Sequence, residues 1–414
     1  MSDFFAPRQR LVPSLSLIGS GLTGARHRAS AAAASPVRLF AAAAALAAGV
    51  LAVTFPQADA SAQVGITAVP FLQIEPDSRG AGMGNTGVAL ADNASALYWN
   101  PAGLAFQRET QISITHANWL PAFNANLFYD YLVGTTHIEG IGTVGGHITF
   151  LNLGEQTRTD ETGLELGRFN SYELAAGLSY GLELSPNLAL GTGFRFIYSS
   201  LASGSVGGQR VNPGSSIGLD LGLLYRTRPL DVLNREAVFR AGFNLSNVGP
   251  GVQYTDNAQK DPLPTVLRAG WSFTLDLDAD GINTLTLAND VSKIMARNEQ
   301  VVANGDTTFQ SMPVLEALVN SWDSFSRFNG TENVELSLFD QLMLGAGLEY
   351  WYNQTFAIRS GIYYEHPENG NRKFITLGAG LRYSIFGVDF SYIYTLEEEH
   401  PLADTIRLSL VLNL

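Results

Sequence analysis

The chain contains no cysteine. That absence excludes a disulfide scaffold, and it equally excludes a lipoprotein acylated on a leading cysteine after export. Charge is scarce, since Asp, Glu, Lys and Arg make up only 15% of the 414 residues. Acids outnumber bases 38 to 25, giving a net charge of −13. Five arginines lie in the first 62 residues against Asp3 and Asp59, so the remainder is more acidic still. Such a chain is a poor match for nucleic acid, and no nucleic-acid partner is expected. Long apolar runs are also missing: past residue 62 nothing approaches the roughly 18 residues that a membrane helix needs. Any membrane crossing there must be made by strands.

Glycine is abundant, with 42 residues, and 46% of the chain is hydrophobic. The one uninterrupted apolar stretch, residues 39–55, follows Arg38 and precedes the small-residue site Ala60-Ser61-Ala62. This order reads as a secretory signal peptide cleaved after Ala62. An uncleaved anchor is the rival reading, but the run is short, Ala-rich and broken by Pro56. The 36 residues before Val37 form an atypical N-terminal extension without a packing pattern, which makes Val37 a candidate start.

The last strand shows the pattern that organises the rest. Ile406, Leu408, Leu410, Leu412 and Leu414 share one face, and Arg407, Ser409, Val411 and Asn413 share the other. A membrane barrel wall meets lipid outside and a polar lumen inside, so its strands alternate in this way. The same period recurs at Ile217, Leu219, Leu221 and Leu223 against Gly218, Asp220 and Gly222, and at Ile375, Leu377 and Leu381 against Thr376, Gly378 and Arg382. About fourteen strands are expected, at 109–119, 126–138, 141–152, 171–184, 187–201, 214–226, 236–246, 264–275, 282–292, 341–350, 354–366, 372–383, 385–395 and 404–414. The fold class is therefore all-β, a transmembrane antiparallel barrel with an even strand number. Connections after the second, fourth, tenth and twelfth strands are very short. Those after the third, fifth, seventh and ninth are long, and parity of this kind belongs to barrels with short periplasmic turns and longer outer loops. The expected inward faces carry Glu173, Glu183, Arg195, Asp220, Arg240, Arg268, Glu349, Arg359, Arg382, Asp389 and Arg407. A mixed-sign lining can pair across the lumen, which argues against a strongly ion-selective pore.

Several strings imitate catalytic or binding motifs. Gly82-Met83-Gly84-Asn85-Thr86-Gly87 matches a dinucleotide fingerprint, but no strand precedes it. Two G-x-S-x-G strings, at Ser179 and Ser216, fall inside alternating strands and not at a strand-to-helix turn. Asp276, Asp278, Asp280 and Gly281 resemble the start of a calcium loop, yet Leu287 stands where the bidentate Glu belongs. Glu397, Glu398, Glu399 and His400 read as a solvated charge run. No catalytic set assembles, so no enzyme, cofactor or metal site is expected.

Residues 79–104, RGAGMGNTGVALADNASALYWNPAGL, resemble the N-terminal signature of the PorV/PorQ family within the FadL-type barrels. The likeness continues at 247–256, 263–270, 348–365, 370–383 and 400–410, and the GNRK and HPLADTIR blocks point to the PorV branch. The resemblance implies a FadL-like barrel at 109–414 in the outer membrane, among lipid and lipopolysaccharide, with an N-terminal plug at 63–108 folded into the lumen. It also implies a part in type IX secretion. There such a barrel accepts cargo carrying a C-terminal sorting domain from the translocon barrel and passes it to a PorU-like sortase. A FadL-type channel for hydrophobic molecules is the alternative; it would need an apolar pocket between plug and wall. A lipid A deacylase, the third class, lacks a nucleophile and base. Trp99, Asn100, Pro101 and Gly103 mark the plug motif. In the long connection 293–341, Met312, Leu315, Leu318, Val319, Trp322, Phe325 and Phe328 have the spacing of a short amphipathic helix. Trp322, Phe325 and Phe328 are the expected partner-binding residues.

Overall fold

The computed structural model describes residues 67–414 except 124, 160–161, 203, 207–208, 256–259, 304–305, 329–332 and 398–399, and leaves aside the side chains of 203–209, 299–309 and 327–332. The expected signal peptide at 1–62 and the pair Glu398 and Glu399 lie outside the described residues.

Fourteen strands form the wall. They are β1 (Gln111–Asn118), β2 (Phe128–Ile138), β3 (Gly142–Thr159), β4 (Glu165–Ser185), β5 (Leu188–Ser200), β6 (Gly214–Arg226) and β7 (Glu236–Val248). The second half comprises β8 (Val266–Asp276), β9 (Asn283–Ile294), β10 (Leu342–Tyr352), β11 (Phe356–Glu365), β12 (Lys373–Tyr383), β13 (Phe386–Thr395) and β14 (Ile406–Asn413). Each pairs antiparallel with its chain neighbour. The sheet closes where Gln111 of β1 faces Asn413 of β14 and Ala117 faces Arg407, so the wall has no free edge.

Alternation sets the two surfaces. Ile217, Leu219, Leu221 and Leu223 of β6 are exposed on the outside, as are Ile406, Leu408 and Leu410 of β14. The opposite positions, among them Asp220, Glu349, Arg359, Asp389 and Arg407, are buried. No helix among the described residues is long and apolar enough to cross a membrane. Strands do the crossing, because closure satisfies every ladder hydrogen bond within the protein.

In the short β10–β11 turn Asn353 and Gln354 both adopt positive φ (50° and 49°). That geometry matches the right-handed twist of the strands it joins. One connection differs from expectation. The link after the third strand is not a long loop, because β3 and β4 stay paired out to Thr159 and Glu165, with register shifts at Asn152/Glu155 and Arg158/Thr159. Bulges let the ladder continue after the regular alternation of the two faces has ended.

A barrel of eight strands can be filled by its own side chains, but one of fourteen cannot. Here the chain before β1 supplies the filling. Residues 67–106 form short turns, Pro70–Gln73, Ser78–Ala81, Ala96–Trp99 and Pro101–Phe106, and most of their side chains are buried. Phe71, Leu72, Ile74, Leu97, Tyr98 and Trp99 pack with wall residues Tyr129, Tyr131, Val133, Leu151 and Ile197. Val252 and Leu263, from the connection between β7 and β8, join the same cluster.

Candidate functional site: a filled lumen and a surface loop

The luminal segment is too short in each element to hold itself together, so the wall supplies its hydrogen-bond partners. Arg79 forms a two-pronged pair with Glu349, Nε to Oε2 at 2.9 Å and Nη2 to Oε1 at 2.7 Å. Arg79 also pairs with Asp92 within the segment. Arg359 donates to Glu349 at 2.6 Å and to Asp389 at 2.8 Å, and Arg382 donates to Asp389 at 2.7 Å. Elsewhere Arg195 pairs with Asp220, and Arg108 with Glu183. Much of the mixed-sign lining thus pairs, between nearby strands and with the luminal segment instead of across the lumen. A buried ion pair adds little net stability, but removing one partner strands the other in a dry site at a cost of about 3–5 kcal/mol.

Backbone groups are held in the same manner. The Gly87 and Val88 N–H groups donate to Asp290 Oδ2 at 2.7 and 3.0 Å. The Gly84 N–H donates to Thr376 Oγ1 at 2.9 Å, and the Ser78 N–H donates to Ser409 Oγ at 3.1 Å. Asp77 accepts the Trp99 indole N–H at 2.6 Å and the Gly80 N–H at 3.1 Å. Burial pushes the Asp77 carboxyl above its ordinary value, against those two bonds, which favour the ionised form.

All four residues of the expected plug motif lie buried in this segment. Trp99 lies against Gly80 and Gly87, where an added Cβ would come within 2.5 and 2.1 Å of its ring. Asn100 donates through Nδ2 to the carbonyls of Val88 and Leu223, both at 3.0 Å, and accepts from the Ala102 N–H at 3.1 Å. It thus caps the turn that Pro101 begins, the first position of a helical turn being one where a missing N–H costs nothing. Gly103 lies so close to Ala91 that a Cβ would overlap its carbonyl oxygen at 1.8 Å.

Sequence reasoning missed Asp77, Arg79, Asp290 and Lys293. Asp290 was within reach, because it shares the inward parity of Thr284 and Thr286 on β9. Lys293 was not: parity sets it on the outside with Leu287, yet it is only 3% exposed, because Gln341 at the foot of the 295–341 loop accepts its ammonium at 2.5 Å.

The 295–341 loop has structure of its own. It comprises a hairpin of Asn298–Ala303 with Asp306–Ser311, a helix Val314–Asn320, a second hairpin of Phe325–Phe328 with Asn333–Leu336, and a turn Phe339–Gln341. The helix is shorter than its apolar spacing predicts. It ends before Trp322, and Phe325 and Phe328 belong to a strand. Leu315 and Val319 are each 72% exposed and Trp322 46%, at helical spacing. Phe325 is half-buried beneath the Arg297 guanidinium, 4.4 Å from its ring centre, and the side chain of Phe328 lies outside the described residues.

The motif look-alikes resolve into structural roles. Gly82–Gly87 is a folded turn inside the lumen, and Ser179 and Ser216 sit within β4 and β6. Asp278 accepts the N–H groups of Ile282 and Asn283 at 2.8 and 3.0 Å, closing the β8–β9 turn. The Asn283 side-chain amide holds the Asp278 carboxyl below its ordinary value. No metal-binding cluster occurs among the described residues.

The chain is similar to several solved barrels. The toluene transporter TodX of P. putida is 12% identical, with a TM-score of 0.48, covering 82% of this chain and 99% of that one. The toluene transporter TbuX of Ralstonia pickettii is 16% identical, with a TM-score of 0.45 and coverage of 82% and 98%. A Pseudomonas aeruginosa FadL homologue is 12% identical, with a TM-score of 0.37 and coverage of 82% and 97%. No curated protein matches the chain. The family model described as Type IX secretion system protein PorV matches residues 57–301, more than half of the sequence. This chain belongs to the PorV family, non-enzymatic outer-membrane barrels of the type IX secretion system, whose partners are other parts of that machinery.

Proposed function

We propose that this barrel binds and shuttles cargo, receiving proteins with C-terminal sorting domains from the translocon barrel and handing them to a PorU-like sortase. The observation that carries this reading is the contrast between a filled lumen and a structured, partly apolar loop. A lumen occupied by a charge-paired segment favours binding over conduction. In bacterial barrels the short turns face the periplasm, and the parity of connections supports a cell-surface position for 295–341. A loop of this length with its own elements is more often functional than incidental. Leu315, Val319 and Trp322 present an apolar stripe to solvent, the form in which a helix offers itself to a partner groove.

The hydrophobic-channel alternative gains nothing from the lumen. The cavity between the luminal segment and β8–β11 sets the charged Glu75, Arg268 and Arg372 beside the apolar Trp99, Val266 and Met343, a mixed wall and not the apolar pocket that such a channel needs. We assign residues 63–108 the role of a plug on the same grounds.

The test is a triple variant, Leu315→Ser, Val319→Ser and Trp322→Ala. All three side chains are exposed, so the barrel should remain heat-modifiable and correctly inserted. Surface delivery of sorting-domain cargo should fall severalfold. Delivery at the wild-type level from cells making normal amounts of the variant would refute the docking role.

A further inference from the structure

The docking loop is rooted in an uncommon cluster. Lys293 at the end of β9 and Arg297 in the loop both point at one neutral side chain, Gln341, at the start of β10. Lys293 Nζ donates to Gln341 Oε1 at 2.5 Å, and Arg297 Nη2 reaches the same oxygen at 3.3 Å. Neither base has an ion-pair partner among the described residues. Their charges are met by carbonyl oxygens instead. Arg297 donates to the Ser321 and Asp323 carbonyls at 2.9 and 2.5 Å, just past the C-terminus of the Val314–Asn320 helix, where cations are favoured.

Gln341 completes the arrangement from its other end. Its Nε2 shares its two hydrogens among the carbonyls of Asp323, Leu336 and Ser337, which lie at 3.2, 3.2 and 3.1 Å. One amide, 4% exposed, thus ties together the end of β9, the chain after the helix, the second hairpin and the start of β10. A fifth tie comes from the β11–β12 connection, where Asn369 Nδ2 donates to the Gln341 carbonyl at 3.3 Å.

We infer that Gln341 is a positioning residue. It fixes the loop to the barrel rim so that the stripe of Leu315, Val319 and Trp322 is held toward solvent in one orientation. The inference rests on the docking role proposed above for that stripe, but it concerns how the stripe is held and can fail separately. An amide suits the task where a carboxylate does not: its oxygen accepts from two cations, and its nitrogen has two N–H groups to share among the surrounding carbonyls. Holding the stripe in advance reduces the ordering cost that a floppy loop would incur on binding.

The experiment compares Gln341→Met, which keeps length and loses both functions, with Gln341→Glu, which keeps the acceptor for Lys293 and Arg297. Intact cells carrying each variant are treated with a surface protease, and cleavage within 298–340 is timed beside heat-modifiability and cargo delivery. Several buried hydrogen bonds lost together correspond to a tenfold or larger change in loop opening. Gln341→Met should therefore be cleaved at least about tenfold faster than wild type while the barrel stays folded, with Gln341→Glu in between. A loop as resistant in Gln341→Met as in wild type overturns the inference. Faster cleavage with undiminished delivery supports the pin and removes the docking role instead.

Discussion

A methyl group on Gly87 would sit 2.1 Å from Trp99 Cδ2, and one on Gly80 2.5 Å from Cζ2. The ring cannot retreat, because its N–H is tied to Asp77 and its edge meets Tyr98 with ring centres 5.0 Å apart. Gly87→Ala should therefore cost about 1–3 kcal/mol through overpacking. Trp99→Ala, which leaves a cavity and an Asp77 oxygen without its donor, should cost about 3–5 kcal/mol. Both effects belong to the luminal segment and not to the wall, so the expected readout is faster proteolysis within 67–106 of a barrel that still runs as a folded species. Unchanged protection in Trp99→Ala would mean that the ring is not what seats the segment. The motif residues themselves were legible in the sequence. Their partners were not: Arg79 meets Glu349 across 270 positions of sequence, and no local period encodes a contact of that kind.

At the scale of elements, all fourteen strands were legible because each lies between two unlike environments, and that contrast writes itself as period two. The loop was legible only in part. Apolar spacing from Met312 to Phe328 fits a helix, but Pro313 fixes where the helix begins and a turn follows Asn320, after which Phe325 and Phe328 belong to a short strand. Short apolar runs without a sheet or lipid face to hold them do not distinguish the two periods. The closing strand offers a direct test of the wall. Leu410 is 50% exposed on the outer face and lies between Ile114 of β1 and Val388 of β13. Leu410→Arg should destabilise the inserted barrel by about 2–4 kcal/mol near the midplane. Its inward neighbour Ser409, which bonds Thr115 and Ser78, should tolerate alanine at the lipid surface while loosening the plug. Equal loss of folded barrel in Leu410→Arg and Ser409→Ala would contradict this assignment of faces.

For the whole molecule, closure raises a question of space. Fourteen strands enclose a lumen that their own inward side chains cannot fill, and the wall leaves room deliberately where the segment comes closest. At Gly191 an added Cβ would lie 2.1 Å from the Ala102 nitrogen, and at Gly361 it would lie 2.1 Å from the Gly84 nitrogen. These wall glycines admit the segment's backbone and have no other evident use. The charges follow the same plan, since Glu349 takes Arg79 from the segment and Arg359 from the wall. Removing 67–105 would leave Arg359 and Arg382 with Glu349 and Asp389, two charges of each sign, so this patch of the wall stays paired without the luminal segment. The wild-type barrel, reconstituted in a planar bilayer, should therefore be silent, and the deletion should insert and conduct. Glu349→Gln should lie between them, with intermittent openings, because it loosens Arg79 while retaining the packing around Trp99. Steady conductance by the wild type, or silence of a demonstrably folded deletion, would show that residues 67–106 are not what closes the lumen.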